Sequence, residues 1–118
     1  MKNQIEIIAR AVILNRGRIL FCRLKKADYH FLPGGHVKSG EKAKQALRRE
    51  LKEELRLKIK NPEFIGAVEN FYKKMKKQHH EINLVFYLRS AARDAVSKEG
   101  HIQFNWLDIT LLPKTKIL

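Results

Sequence analysis

From Glu41 to Leu55 the chain runs without a glycine or proline, and Ala43, Leu47, Leu51 and Leu55 recur every four residues with Ala46 beside them. That period gathers them into one apolar stripe of a helix, with Ser39 ahead of it as the expected capping residue. The rest of the chain is read around this element. Ile5 to Leu14 and Arg18 to Leu24 are rich in Ile, Val, Leu and Phe and are joined by Asn15-Arg16-Gly17, which predicts a β-hairpin. Lys25 to Tyr29 reads as a loop. His30-Phe31-Leu32 reads as a short extended piece, stopped by Pro33-Gly34-Gly35, where proline biases Leu32 towards β geometry.

Beyond the helix, Leu57 to Lys60 is expected to be extended and Glu63 to Tyr72 to be a strand. Lys73 to Gln78 should be a hairpin loop and Glu81 to Arg89 its return strand. Ser90 to Gly100 is polar and looser. Ile102 to Leu107 resumes strand character, and Asp108 to Leu112 suits a single helical turn before Pro113. Strands, one long helix and more strands make an α+β, mixed-sheet domain, expected to occupy residues 1–118 as one unit.

Composition narrows the class. The chain has 118 residues, 44% of them apolar, an ordinary share for a folded domain. Met1 to Arg10 lacks the apolar run of a secretion signal, and no stretch reaches the ~18 apolar residues that span a bilayer. A lone Cys22 in an apolar run reads as a buried, reduced thiol. A cytoplasmic protein that does not enter membranes is the expectation. The formal charge of +13 is the unusual bulk property, with Lys73, Lys74, Lys76 and Lys77 in one cluster and Lys25 and Lys26 in another. Such a surface keeps a protein soluble and also attracts polyanions.

The helix itself asks for a functional reason. Glu50, Glu53 and Glu54 stand at i, i+3 and i+4, so their carboxylates leave from one face. Each such like-charge pair weakens an isolated helix by ~0.2–0.5 kcal/mol. A divalent cation turns that repulsion into attraction, and an all-oxygen set suits Mg²⁺ or Mn²⁺. A solvated face of mixed charge is the competing explanation. Arg49 can pair with Glu53 along the helix and, through the preceding loop, with Glu41. Gly34-Gly35 ahead of the helix lets backbone approach a metal or phosphate closely.

With those residues in place, the segment resembles the signature of the Nudix hydrolases, G-x5-E-x7-R-E-U-x-E-E-x-G-U, where U is a bulky aliphatic. Gly35, Glu41, Arg49, Glu50, Leu51, Glu53, Glu54 and Leu57 occupy the matching places, and Arg56 stands where the family has its last glycine. Phe31 to Gly35 looks like the family's approach strand, and Trp106-Leu107 with Leu111-Leu112-Pro113 like its closing segment, so the resemblance covers nearly the whole chain. It implies an α/β/α sandwich around a mixed sheet and Mg²⁺- or Mn²⁺-dependent hydrolysis of a pyrophosphate bond in a nucleoside diphosphate linked to another group.

The resemblance also assigns roles. Glu50, Glu53 and Glu54, with the Gly35 carbonyl, would hold the metal. Glu53 or Glu50 would take the proton of the attacking water, while Arg49 and Glu41 hold the carboxylates in place. Family members often add an acid from a later loop, for which Glu99 is the first candidate and Glu81 the second. Tyr72 and Phe71 are weaker candidates to stack on a base, and His36 to touch phosphate; Trp106 suits packing. His79 and His80, adjacent on a strand, point to opposite faces and make a poor joint metal site. Three readings stay open: a free nucleotide as substrate, the 5′ end of RNA, or a silent nucleotide- or RNA-binding module. Arg56 should sit in a left-handed conformation at the helix end or extend the helix by one residue. Relatives of this type continue past the Pro113 region into a further helix, so that edge is expected to be compact or to be completed by a partner chain. Monomer and homodimer both remain open.

Overall fold

A computed structural model describes residues 4–24, 29–89 and 102–110. Its elements are β1 (Ile5–Asn15), β2 (Arg18–Leu24), β3 (Gly34–His36), α1 (Ala43–Leu55), β4 (Glu63–Lys74), β5 (Lys77–Arg89) and β6 (Ile102–Asp108). The strands form one mixed sheet in the order β4-β5-β1-β2-β6, with β3 also paired to β1.

The predicted β1–β2 hairpin is present but short. Only Leu14↔Ile19 and Asn15↔Arg18 pair, around a turn in which Arg16 and Gly17 both take positive φ. Most of β1 is instead paired in parallel with β5, from Ile5↔His80 to Leu14↔Arg89. On its other edge Ile8, Ala9 and Arg10 oppose His36, Gly35 and Gly34 of β3. β1 is therefore the spine of the sheet, and it carries the glycine loop directly on its flank.

The core follows from strand and helix periods meeting. Alternate β1 residues Ala9, Ala11 and Ile13 join Leu20, Phe86 and Leu88 against Ala46, Leu47, Leu51 and Leu55 of α1. Two alanines in β1 leave room for the helix to lie close. Each of the three helix leucines is worth about 1.5–3 kcal/mol on burial. Cys22 is wholly buried, as expected, and burial pushes its thiol well above the usual range, with Glu54 adding to the effect. Among the described residues no helix is long and apolar enough to cross a membrane.

Several local expectations are corrected. α1 starts at Ala43, not Glu41, and its cap is Lys42, whose backbone N–H donates to Gln45 Oε1 at 2.9 Å; Ser39 lies in an exposed turn. Gly40 at φ +81° turns the chain one step too late for a serine cap. Leu57 to Lys60 joins no strand, although Leu57 and Ile59 pack against the core. The Lys73–Gln78 loop shrinks to Met75-Lys76, both at positive φ, because Lys73↔Gln78 and Lys74↔Lys77 still pair. At the other end Asp108 Oδ1 accepts from the Thr110 N–H and hydroxyl, which holds its carboxyl below the usual range. Residues 111–113 of the expected turn and closing segment lie outside the described residues.

Candidate active site

The corner between β3 and α1 is built by close approach. Gly35 lies opposite Ala9 in the sheet, and a Cβ added to it would run into the Glu50 carboxylate, with Oε1 at 2.6 Å. Gly34, at φ +145°, would drive a Cβ into the Ala9 carbonyl. Both glycines are thus demanded by contacts, not by a turn alone.

Arg49 locks this corner. Its Nε donates to Glu41 Oε2 at 2.9 Å and its Nη2 to Glu41 Oε1 at 3.0 Å, a two-pronged pair across the loop. Nη1 donates to Glu50 Oε1 at 2.7 Å, and Nη2 also reaches the His36 carbonyl at 3.1 Å. Glu53 stands further off, 3.9 Å from Nη1. The guanidinium holds the Glu41 carboxyl down at about 2, helped by the Lys38 N–H, and the two carboxylates raise Arg49 in turn.

The three helix glutamates are graded by burial. Glu54 is buried against the core edge, Glu50 is half-buried and Glu53 points outward with 63% of its side chain exposed. As placed, no three acidic, imidazole or thiol groups among the described residues close into a ready cation cage. The donor chemistry nevertheless fits Mg²⁺ or Mn²⁺: carboxylate oxygens on one helix face, one of them pressed against a residue whose missing side chain leaves its backbone reachable.

A cleft on the sheet face away from α1 is bounded by Arg10, Phe31, Leu32, Val68, Asn70, Glu81, Asn83 and Val85. Arg10 is fixed there by Nε to Asn83 Oδ1 at 3.1 Å and Nη1 to the Leu32 carbonyl at 2.9 Å, and it lies 5.8 Å from the Phe31 ring centre. Leu32 lines this cleft, and Gly35, three residues on, meets Glu50.

Residues 6–117 match the family model described as NUDIX domain. A curated relative, the 8-oxo-dGTP diphosphatase of Buchnera aphidicola subsp. Schizaphis graminum, is 32% identical over 105 residues, which cover 85% of this chain and 75% of that protein. Among solved structures, the MutT protein from Methanosarcina mazei Go1 superposes with a TM-score of 0.79 at 25% identity, over 98% of this chain and 86% of its own. The MutT NUDIX hydrolase from Burkholderia pseudomallei does so with a TM-score of 0.78 at 23% identity, over 92% and 86%. The chain belongs to the Nudix family.

As a Nudix pyrophosphohydrolase it departs from the family signature at Arg56, which takes φ 53° and ψ 30°, the left-handed cap position. Leu57 N–H donates to the Leu51 carbonyl at 3.2 Å, closing the helix end despite the missing glycine. The helix does not run on.

The weaker sequence candidates separate. Tyr72 donates its hydroxyl to Glu81 Oε2 at 2.9 Å and stacks on His79. Burial, with Glu81 beside it, pushes the Tyr72 phenol up to about 12. Phe71 lies on the opposite sheet face, stacked on His80, so the structure does not bring it to the cleft. His36 and His79 both bind Glu6, at 2.8 and 2.9 Å, and His80 binds Glu69 at 2.8 Å, so the two adjacent histidines do serve opposite faces. Trp106 packs against the core. Glu99 lies outside the described residues. What sequence reading missed is the Arg10–Asn83 pair, whose only advance sign was an arginine and an asparagine inside otherwise apolar strands.

Proposed function

We propose that the chain hydrolyses the pyrophosphate bond of a nucleoside triphosphate, or of a nucleoside diphosphate linked to another group, with the phosphates at the β3–α1 corner and the nucleoside in the neighbouring cleft. One observation carries the reading: Arg49 binds Glu41, Glu50 and the His36 carbonyl at once, so loop and helix present their oxygens as one rigid unit. Glu50, Glu53, Glu54 and the Gly35 carbonyl would hold Mg²⁺ or Mn²⁺. A bound ion of this kind neutralises phosphoryl oxygens and acidifies water.

The chain's own residues divide the remaining work. Arg49 and Glu41 are positioning residues, since their charges satisfy each other. Glu50 is engaged by Arg49 at 2.7 Å, whereas Glu53 stands 3.9 Å from it and is exposed, which leaves Glu53 the freer of the two to meet a water. Glu53 therefore takes the proton of the attacking water. Apolar Phe31, Leu32, Val68 and Val85 give the cleft a surface for a flat ring. The curated relative named 8-oxo-dGTP diphosphatase favours a purine triphosphate as the first substrate to try. Product analysis on a panel of nucleoside triphosphates, nucleotide sugars and dinucleoside polyphosphates, with Mg²⁺ and with chelator, tests the reading. Monophosphate appearing only with metal supports it; no cleavage of any member overturns it.

A second reading, the 5′ end of RNA as substrate, draws on the exposed Lys73, Lys74, Lys76 and Lys77 around the β4–β5 turn and the net charge of +13. Steep loss of RNA binding with salt, together with release of pyrophosphate from triphosphorylated RNA, would favour it.

A further inference from the structure

Glu81 is a buried carboxylate that the hydrolytic corner does not use. It is 5% exposed, sits on β5 between His80 and Ile82, and forms part of the cleft wall. Its hydrogen bond among the described residues is the one from the Tyr72 hydroxyl to Oε2. A carboxylate has about four lone-pair sites, so Oε1 in particular retains unused accepting capacity. The cation in the same cleft does not neutralise it: Arg10 is committed to Asn83 and the Leu32 carbonyl, and no ion pair joins it to Glu81. Oε1 is not among the unpartnered polar atoms sealed from solvent, so it opens to the cleft, where a ligand's donor can reach it.

Apolar walls with an acceptor-only group between them select by chemistry. Adenine and cytosine each offer an amino donor next to a ring-nitrogen acceptor, and the acceptor would face a carboxylate oxygen. Thymine and uracil offer one N–H between two carbonyls. A 2-amino-4-oxo-pyrimidine edge is different, because its ring N–H and amino N–H are adjacent donors that a carboxylate accepts side by side. The carbonyl next to them would then face donors, and Arg10 and Asn70 line the same cleft.

We propose that Glu81 is a specificity-determining residue, accepting both donors of such an edge, so that the cleft takes guanine, 8-oxoguanine or a reduced pterin in preference to adenine or a pyrimidine. This rests on the cleft holding the substrate's ring, as in the pyrophosphohydrolase reading above. It gives Glu81 a role in recognition in place of the acid–base role that its sequence position suggested.

The test separates recognition from turnover. Binding of dGMP, dIMP and dAMP to the full chain is measured by calorimetry, and kcat/KM is measured for dGTP, 8-oxo-dGTP, dihydroneopterin triphosphate and dATP with Mg²⁺. The expected result is dGMP at least tenfold tighter than dAMP, with dIMP, which lacks the amino group, between them. Glu81→Gln should narrow the guanine-to-adenine ratio at least tenfold in both assays, with its melting curve recorded alongside. Whichever of the three edge-bearing triphosphates is cleaved best identifies the source of the edge. An unchanged ratio in Glu81→Gln, or a wild-type chain that binds dAMP as well as dGMP, overturns the proposal; the wild-type series decides by itself should the variant not fold. Selective dGMP binding, lost in Glu81→Gln, in a chain that cleaves no nucleotide would sink the hydrolytic reading and leave this one standing.

Discussion

The β3–α1 corner and the cleft beside it are both polar sites in a small protein, yet they are assembled in opposite ways. In the corner, charges answer one another across loop and helix: Arg49 is shared by Glu41 and Glu50, with Glu53 in reach. In the cleft, Glu81 has a phenol for company and Arg10 an amide and a carbonyl. Mutual satisfaction produces a rigid scaffold aimed outward, whereas spare accepting capacity produces a surface that waits for a ligand. The lesson is that fully paired charge marks positioning and under-paired charge marks recognition.

Substitutions can break that contrast. The largest effect is expected for Glu53→Gln, which should lower kcat by two or more orders of magnitude, about 3 kcal/mol of barrier, while circular dichroism shows a folded chain. Full activity with metal present would remove Glu53 from the chemistry. Gly35→Ala comes next, because its methyl meets the Glu50 carboxylate. A loss of at least tenfold in kcat/KM is expected, with more Mg²⁺ needed for half-maximal rate; an unchanged metal requirement would show that the corner tolerates the shift. Both changes should leave the preference between bases intact, which is where Glu81→Gln acts, and a base-ratio change in either would blur the division between the two regions.

Smaller effects sharpen it. The Glu41 carboxyl is held at about 2 by Arg49, below its value in the unfolded chain. Its contribution to stability is therefore complete above the unfolded value near 4.3 and is lost as pH falls towards 2. Denaturation midpoints of Glu41→Gln should depend less on pH across that window than those of the wild type. Equal slopes would mean that the Arg49 pair does not stabilise the fold. The smallest change is Arg56→Gly, which relieves a left-handed residue costing ~1 kcal/mol and should raise the melting temperature by about 4 °C with turnover within a few-fold. A large activity change at constant stability would contradict this.

The same contrast explains what could be read in advance. Glu41, Arg49, Glu50 and Gly35 are joined by one helix and one short loop, so residue spacing alone puts them together. The apolar four-residue period places α1 against the sheet, but Gly40 and the Gln45 side chain, not Ser39, set where the helix starts. The β4–β5 loop is tighter than its lysines suggest, because Lys73, Lys74 and Lys77 belong to the paired strands and only Lys76 lies in the turn itself. The cleft escaped because it is made by strands that meet only through long-range pairing: Arg10 and Asn83 are 73 positions apart. No local period encodes which strand lies beside β1.

That parallel pairing of β1 with β5 also has a consequence for synthesis. β1 finds its long partner only after many further residues have been made, since Glu6 and His79 are 73 positions apart. Until then β1 has two hairpin pairs with β2 and three with β3 to hold it. Nascent chains stopped before β5 should remain protease-sensitive throughout, and the glutamate helix, complete much earlier, would have no finished floor to settle on.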